Sequence, residues 1–126
     1  MKKSLLFFML LFAPMLMAQT VHKVTLRWNA SASTTVTHYG VYRATVSGGP
    51  YAYLGYTTGL SYANSKNPDG TPLADNAVFY YVVVAFTAPD PVTKKSSHSV
   101  NSNEVQVTIP VTVVINAPTG LTSEVE

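Results

Sequence analysis

The chain contains no cysteine among its 126 residues, which excludes disulfide bonds, zinc sites built on thiolates and catalysis by a thiol. Charged residues make up only 11% of the chain, and the formal net charge is +2. Without Lys2 and Lys3 at the start, the remaining six basic residues balance the six acidic ones. A formally neutral chain has no electrostatic attraction for nucleic acid or for an anionic membrane surface.

Spacings typical of catalytic and metal-binding sites are also missing. The three histidines, His22, His38 and His98, are far apart in sequence and have no clustered carboxylates beside them, so they do not form a metal-binding pattern. Asp69 and Asp75 share a loop-forming stretch that explains them as solvated turn residues. No Gly-x-Ser-x-Gly motif occurs. We therefore expect a protein without enzymatic activity, cofactor or metal.

Residues 1–18 have the composition of a secretory signal peptide. Lys2 and Lys3 precede an apolar run that is shorter than the roughly 20 residues a membrane-spanning helix needs. Ala18 is a small residue at the polar boundary, and we expect cleavage after it. The alternative is an uncleaved membrane anchor. Cleavage predicts a protein that is secreted or at the cell surface, extracellular or periplasmic, with no remaining membrane span.

The rest of the chain alternates apolar and polar residues with the period of a β-strand. Val24, Leu26 and Trp28 fall on one face, for example, while Thr25 and Arg27 fall on the other. Turn-forming stretches separate the alternating segments, and no segment has the apolar stripe of a helix. The predicted strands are residues 24–28, 39–43, 51–56, 60–62, 78–86 and 104–109. Six or seven short strands at such intervals predict an all-β, antiparallel sandwich.

Several of these segments, taken in order, resemble a fibronectin type III domain of the kind found in secreted bacterial proteins. The segments that carry the resemblance are residues 24–31, 39–43, 47–51, 80–85, 102–105 and 109–110, together with Leu73, six residues ahead of Phe79. They are similar to the family's strands B, C, F and G and to the turn after C. The resemblance implies an immunoglobulin-like sandwich that acts at the cell surface or in the matrix through protein or glycan contacts. An alternative is a carbohydrate-binding or spacer domain that accompanies a secreted carbohydrate-active system.

The chain departs from the family pattern at one buried aromatic position. Phe79 stands where the family has a tyrosine whose hydroxyl ties a loop to the sheet. Phenylalanine keeps the buried ring but cannot donate that hydrogen bond, which is worth about 1 kcal/mol. Tyr80 or Tyr81 would supply the hydroxyl if the alignment were shifted.

A second departure concerns the family's first strand, strand A, which has too few residues ahead of Val24. We divide the chain into the signal peptide, a domain of residues 19–110 and a strand-like tail of residues 111–126. Part of the tail resembles the start of a further repeat, so it is a candidate for the missing strand. Its candidate pairing residues are Val111, Val113, Ile115 and Leu121. Three possibilities stay open: pairing within its own domain, pairing with a second copy to form a homo-oligomer, or a frayed terminus.

Alternation along residues 78–86 also predicts an apolar and aromatic stripe on the outer face of a sheet, where polar residues are usual. Neighbouring strands add tyrosines to this stripe. Tyrosine and phenylalanine suit protein or glycan contacts because they offer large rigid surfaces. The candidate contact residues are Tyr42, Tyr80, Val82, Val84, Phe86, Tyr51 and Tyr53. The alternative is ordinary cross-strand packing that strengthens the sheet.

Overall fold

The computed structural model describes residues 21–113 and 117–125. The predicted signal peptide, its cleavage site and Ile115 lie outside these residues. Six strands are present in the described part: β1 (Val24–Arg27), β2 (Val36–Ala44), β3 (Ala52–Thr57), β4 (Ser61–Asn64), β5 (Val78–Thr87) and β6 (Val105–Thr108). They lie within about three residues of the segments where alternation predicts strands. This part of the chain has no helix, and hence none that is long and apolar enough to cross a membrane.

The strands form two antiparallel sheets. β1 pairs with β4, and the second sheet has the order β3-β2-β5-β6. The predicted all-β, antiparallel, sandwich-like architecture is therefore confirmed. Between the sheets lies a core contributed by both of them and by the segments after β4 and β6. Its buried members are Val24, Leu26, Val41, Leu73, Phe79, Tyr81 and Ile109.

Trp28 follows β1 directly and packs at one end of this core. Its ring meets the ring of Tyr39 edge-to-face, with 5.6 Å between the ring centroids. The side chain is half-buried, and its buried Nε1 has no hydrogen-bond partner among the described residues. A buried donor without an acceptor is energetically unfavourable, so the core is less stable at this end than it would be with an acceptor beside Trp28.

The opposite end of the core contains a buried cation. Arg43 is 8% exposed and donates to Asn64 Oδ1 over 3.2 Å and to Asn67 Oδ1 over 3.0 Å. Its guanidinium carbon lies 4.1 Å from the centre of the Phe79 ring. The buried hydroxyl of Tyr81 donates to the same Asn64 oxygen over 2.9 Å. Arg43 therefore joins the two sheets through polar contacts.

Glu104, just before β6, fixes the turn between β2 and β3. Its carboxylate accepts hydrogen bonds from the Ser47 hydroxyl over 2.6 Å, from the Gly48 amide over 2.8 Å and from the Tyr51 hydroxyl. Gly48 has a φ of 85°, in the left-handed region that glycine adopts without strain. Because β3 and β6 are opposite edges of their sheet, the turn must fold back across β5 to reach Glu104.

The pKa of Glu104 lies below its ordinary value because the Ser47 hydroxyl, the Tyr51 hydroxyl and the Gly48 amide stabilise the carboxylate. A carboxyl group whose pKa is lower in the folded state stabilises the fold above its unfolded pKa, about 4.3 for glutamate, and that contribution disappears as the pH falls. We expect Glu104→Gln to lower the melting temperature at neutral pH, with the difference from the parent shrinking on acidification below that value.

Melting curves recorded by circular dichroism from neutral to acidic pH measure this effect. Glu124→Gln is the matched control, since Glu124 is exposed in the tail and should leave the curves unchanged. A Glu104→Gln deficit that stays constant across the acidic range would contradict the assigned role of the carboxylate.

Candidate contact surface

The outer face of the four-stranded sheet, which points away from β1 and β4, carries a group of aromatic side chains. Strict alternation would place Tyr53 and Tyr56 on opposite faces of β3 because they are three residues apart. The pairing of β3 with β2 contains a register shift, so that Tyr56 is opposite Gly40 and Tyr53 is opposite Tyr42. An extra residue in one strand restores both tyrosines to the same face.

Six rings from β2, β3, β5 and the loop after β5 make up what we call the aromatic face. Tyr42 and Tyr53 lie 5.4 Å apart, and His38 lies 5.2 Å from Phe86 in a stacked arrangement. Tyr56 and His98 extend the group on either side of that stack, at centroid distances of 5.8 and 5.7 Å. The members are His38, Tyr42, Tyr53, Tyr56, Phe86 and His98. These spacings are those of favourable aromatic pairs.

Glycine at position 40 allows the rings to close over the sheet. A Cβ atom on Gly40 would lie 2.9 Å from the Phe86 ring and 3.1 Å from the Tyr42 ring. The first distance is shorter than real Cβ atoms tolerate. The backbone of β2 is therefore covered by the two rings at this point, and any larger residue would displace them.

The structure corrects the predicted exposure of the two valines in the stripe. Val82 and Val84 are on the outer face, opposite Tyr42 and Gly40, but they are only 3% and 6% exposed. The rings of the aromatic face cover Gly40 beside Val84, and the folded-back β2–β3 turn crosses the strand near Val82. Neither valine is accessible to a partner, so both belong to a second, outer layer of packing.

The other predicted contact residues fall into three groups. Tyr53 is 55% exposed, and Tyr42 and Phe86 are half-buried within the aromatic face. Tyr80 is half-buried on the same outer side, between Ala44 and Gln106. Tyr51 lies outside the aromatic face, because its hydroxyl donates a hydrogen bond to Glu104 and stabilises the turn between β2 and β3. Tyr51 is therefore a structural residue of the turn.

The two histidines of the aromatic face, His38 and His98, are not among the predicted contact residues. Alternation along the strand places His38 on the outer face, because His38 lies two residues before Gly40 and four before Tyr42. His98 has no such signal, since it comes from the loop after β5 and reaches Phe86 through an isolated bridge. Only the folded loop brings it there.

The aromatic face carries no carboxylate, lysine or arginine. Partial burial and the neighbouring tyrosines Tyr42 and Tyr56 raise the pKa of Tyr53 above its ordinary value, so its hydroxyl stays protonated at neutral pH. Within the described residues no three histidine or acidic side chains come together as metal ligands would. The aromatic face therefore presents aromatic rings and tyrosine hydroxyl groups at the surface of the sheet.

The described part of the tail is exposed and outside any strand. Val111, Val113 and Leu121 are 55%, 77% and 98% exposed. Thr112 is the anchored residue, because its amide donates to Asp75 Oδ2 over 2.8 Å. The pKa of Asp75 is lowered by that amide and then by a hydrogen bond with His22. Pairing of the tail in a sheet stays a prediction.

A search of protein-family models, curated proteins and solved structures finds no match to the chain. The fold and the surface therefore define the class by themselves: a sandwich-like pair of antiparallel sheets with an aromatic face on one outer side.

Proposed function

We propose that the chain is a secreted, non-catalytic module of fibronectin type III type that binds another protein through the aromatic face. The order β3-β2-β5-β6 and the pairing of β1 with β4 support the family assignment, because the resemblance implies that strand C lies beside strand F and strand F beside strand G. The basic and apolar start of the chain supports export to the cell surface or matrix.

The exposed aromatic face is the observation that carries this proposal. Tyr53 and Tyr56 are 55% and 66% exposed and lie on β3, at one edge of the four-stranded sheet. Large rigid rings with polar tips are enriched at protein interfaces, where a few such residues supply most of the binding energy. Each of the two rings contacts one aromatic neighbour, Tyr42 or His38, and more than half of its surface faces water.

The angles between the rings favour a protein partner over a glycan. Tyr42 and Tyr53 meet at 64°, and His38 and Tyr56 meet at 76°. A sugar that stacks on a flat platform needs coplanar, open ring faces, whereas here the stacked His38 and Phe86 rings cover each other. An uneven surface of ring edges and faces is suited to interdigitating with protein side chains.

Substituting the two exposed tyrosines tests the proposal. We expect Tyr53→Ser with Tyr56→Ser to weaken binding of the purified, fluorescently labelled chain to cells of its producing organism by about tenfold or more, the effect of losing hot-spot residues. The melting temperature should fall only modestly, because both side chains are largely exposed and each loses a single aromatic pair. Flow cytometry measures the binding of the labelled chain to the cells, and circular dichroism measures the melting temperature.

Val92→Ser is the matched control, since Val92 is 89% exposed and is not a member of the aromatic face. Protease treatment of the cells should abolish binding if the partner is a protein. Binding that survives protease and appears on a glycan array would favour the carbohydrate-binding alternative. A tyrosine double variant that binds as well as the parent would remove the aromatic face from the function.

A further inference from the structure

One edge of the two-stranded sheet has open backbone groups. Trp28 donates its amide to the Leu60 carbonyl over 3.1 Å, so residues 24, 26 and 28 direct their backbone groups towards β4. Thr25 and Arg27 must then direct their N–H and C=O groups to the other edge. No residue of 21–113 or 117–125 pairs with them there. An exposed strand edge of this kind is a template for another strand.

Beside this edge a groove of about 370 Å³ runs between the two sheets, which we call the open groove. Its lining is mixed, with the apolar and aromatic residues Leu26, Trp28, Tyr81, Val83 and Val105 and the polar residues Arg27, Asn29, Ser102 and Asn103. Val105 is 44% exposed although it faces Tyr81 on the core side of β6. At Val105 the described residues therefore leave the core side of the sheet partly uncovered.

The side chain of Trp28, beside the open groove, has an unsatisfied hydrogen-bond donor. Its Nε1 is buried and has no acceptor within residues 21–113 and 117–125, and its ring borders both the open groove and a neighbouring hollow of about 160 Å³. A strand lying along the edge of β1 would bring carbonyl groups to this region. An extended segment of chain bound here would pair with the open edge of β1, cover the exposed apolar residues of the open groove and place an acceptor near the Trp28 Nε1.

The C-terminal segment of residues 121–125, which we call the donor tail, has the matching properties. Leu121 and Val125 are 98% and 93% exposed. In a strand they would project from one face together with Ser123, while Thr122 and Glu124 would project into solvent. The donor tail thus offers one apolar and one polar face, as a strand covering the open groove requires.

We propose that the edge of β1 and the open groove bind the donor tail of a second copy, linking chains head to tail. This inference rests on a different surface from the aromatic face and does not depend on it. Each chain has one edge and one tail on different parts of its surface, so the contact is heterologous and produces open chains or closed rings.

The anchoring of Thr112 favours a second copy over the chain's own tail. Thr112 is bound to Asp75, whose carboxylate lies 2.6 Å from His22 Nε2, so the tail leaves the domain at the beginning of β1. If it continued straight along the edge from that point, it would run parallel to β1. Every pairing in the two sheets is antiparallel, and antiparallel pairing is the more stable arrangement. A tail arriving from another chain can enter at the Trp28 end.

Measuring the molecular mass against concentration tests the proposal. For the mature chain predicted to begin at Gln19, we expect light scattering coupled to size exclusion to show a mass that rises with concentration. Leu121→Asp with Val125→Asp should weaken the self-association at least about tenfold, because two apolar side chains no longer enter the groove. Val92→Asp, at an equally exposed valine, should leave it unchanged.

Complementary variants identify donor and acceptor. Thr25→Pro removes an outward N–H group and should block the edge while leaving the tail intact. Val105→Asp, in the open groove, serves the same purpose if the proline variant does not fold. The edge variant (Thr25→Pro or Val105→Asp) and the tail variant (Leu121→Asp with Val125→Asp) should each be monomeric alone. A mixture of the two should form a one-to-one pair, because the intact tail of the first binds the intact edge of the second. The emission of Trp28, the single tryptophan, should shift to shorter wavelength on pairing.

Two results would overturn the proposal. A monomer at every concentration, with a melting temperature that the tail substitutions leave unchanged, would mean that the tail does not dock. A monomer whose melting temperature falls in the tail variant would mean that the edge is filled by the chain's own tail. The Tyr53→Ser and Tyr56→Ser variant should self-associate as the parent does, which separates this result from the test of the aromatic face.

Discussion

Replacing Arg43 with alanine is expected to lower the free energy of unfolding by about 3 kcal/mol. The substitution removes two hydrogen bonds donated by a cation, each worth about 1.5–3 kcal/mol, and a desolvated cation–π contact of about 2 kcal/mol. Part of this sum is offset because the fold no longer has to bury a charge. A loss of this size is a large fraction of the 5–15 kcal/mol that stabilises a typical domain.

Urea unfolding followed by circular dichroism measures the change. Arg43→Lys should also be strongly destabilising, because a single ammonium group lacks the planar fork that reaches Asn64 and Asn67 together. Arg27→Ala is the matched control, since the exposed Arg27 side chain should change the stability by no more than about 0.5 kcal/mol. A loss below about 1 kcal/mol for Arg43→Ala would show that water replaces the guanidinium at little cost.

The importance of Arg43 was not predictable from alternation. Arginine at an inward position contradicts the apolar pattern, and its burial depends on acceptors that are far away in the sequence. Asn64 ends β4, and Asn67 lies in the following loop, 21 and 24 residues from Arg43. Spacing predicts which side of a strand faces inward, but it does not predict which distant loop supplies the polar partners.

Local patterns predicted the strands well because alternation and turn residues act within a few positions. The six strands and their antiparallel arrangement follow from segments such as residues 24–28 and 78–86. What alternation missed are the places where the backbone departs from regular pairing. The register shift beside Tyr42 brings Tyr56 to the same face as Tyr53.

The burial of the outer side of β5 was missed for a related reason. Alternation correctly assigns Val82 and Val84 to the outer face, but it contains no information about what covers that face. Their burial depends on the turn that Glu104 holds and on rings from other strands. A candidate surface predicted from alternation therefore included residues that no partner can reach.

Replacing Val82 with aspartate is expected to have the largest effect of any substitution considered, at least about 4 kcal/mol. Val82 is 3% exposed, and an unpaired carboxylate at that position would lose its hydration without gaining a partner. Burial favours the protonated carboxyl group, so the deficit should shrink as the pH falls. At neutral pH a domain of ordinary stability should be largely unfolded by this change or close to it.

Thr108→Asp separates this explanation from a general intolerance of charge on that side of the sheet. Thr108 lies on β6 opposite Val78, on the same outer side as Val82, and is exposed. Its substitution should change the free energy of unfolding by no more than about 0.5 kcal/mol in urea titrations. If Val82→Asp were equally mild, the outer side of β5 would be open to water and the valines would return to the candidate contact surface. A large loss confined to Val82 would restrict any partner to the exposed rings of Tyr53 and Tyr56.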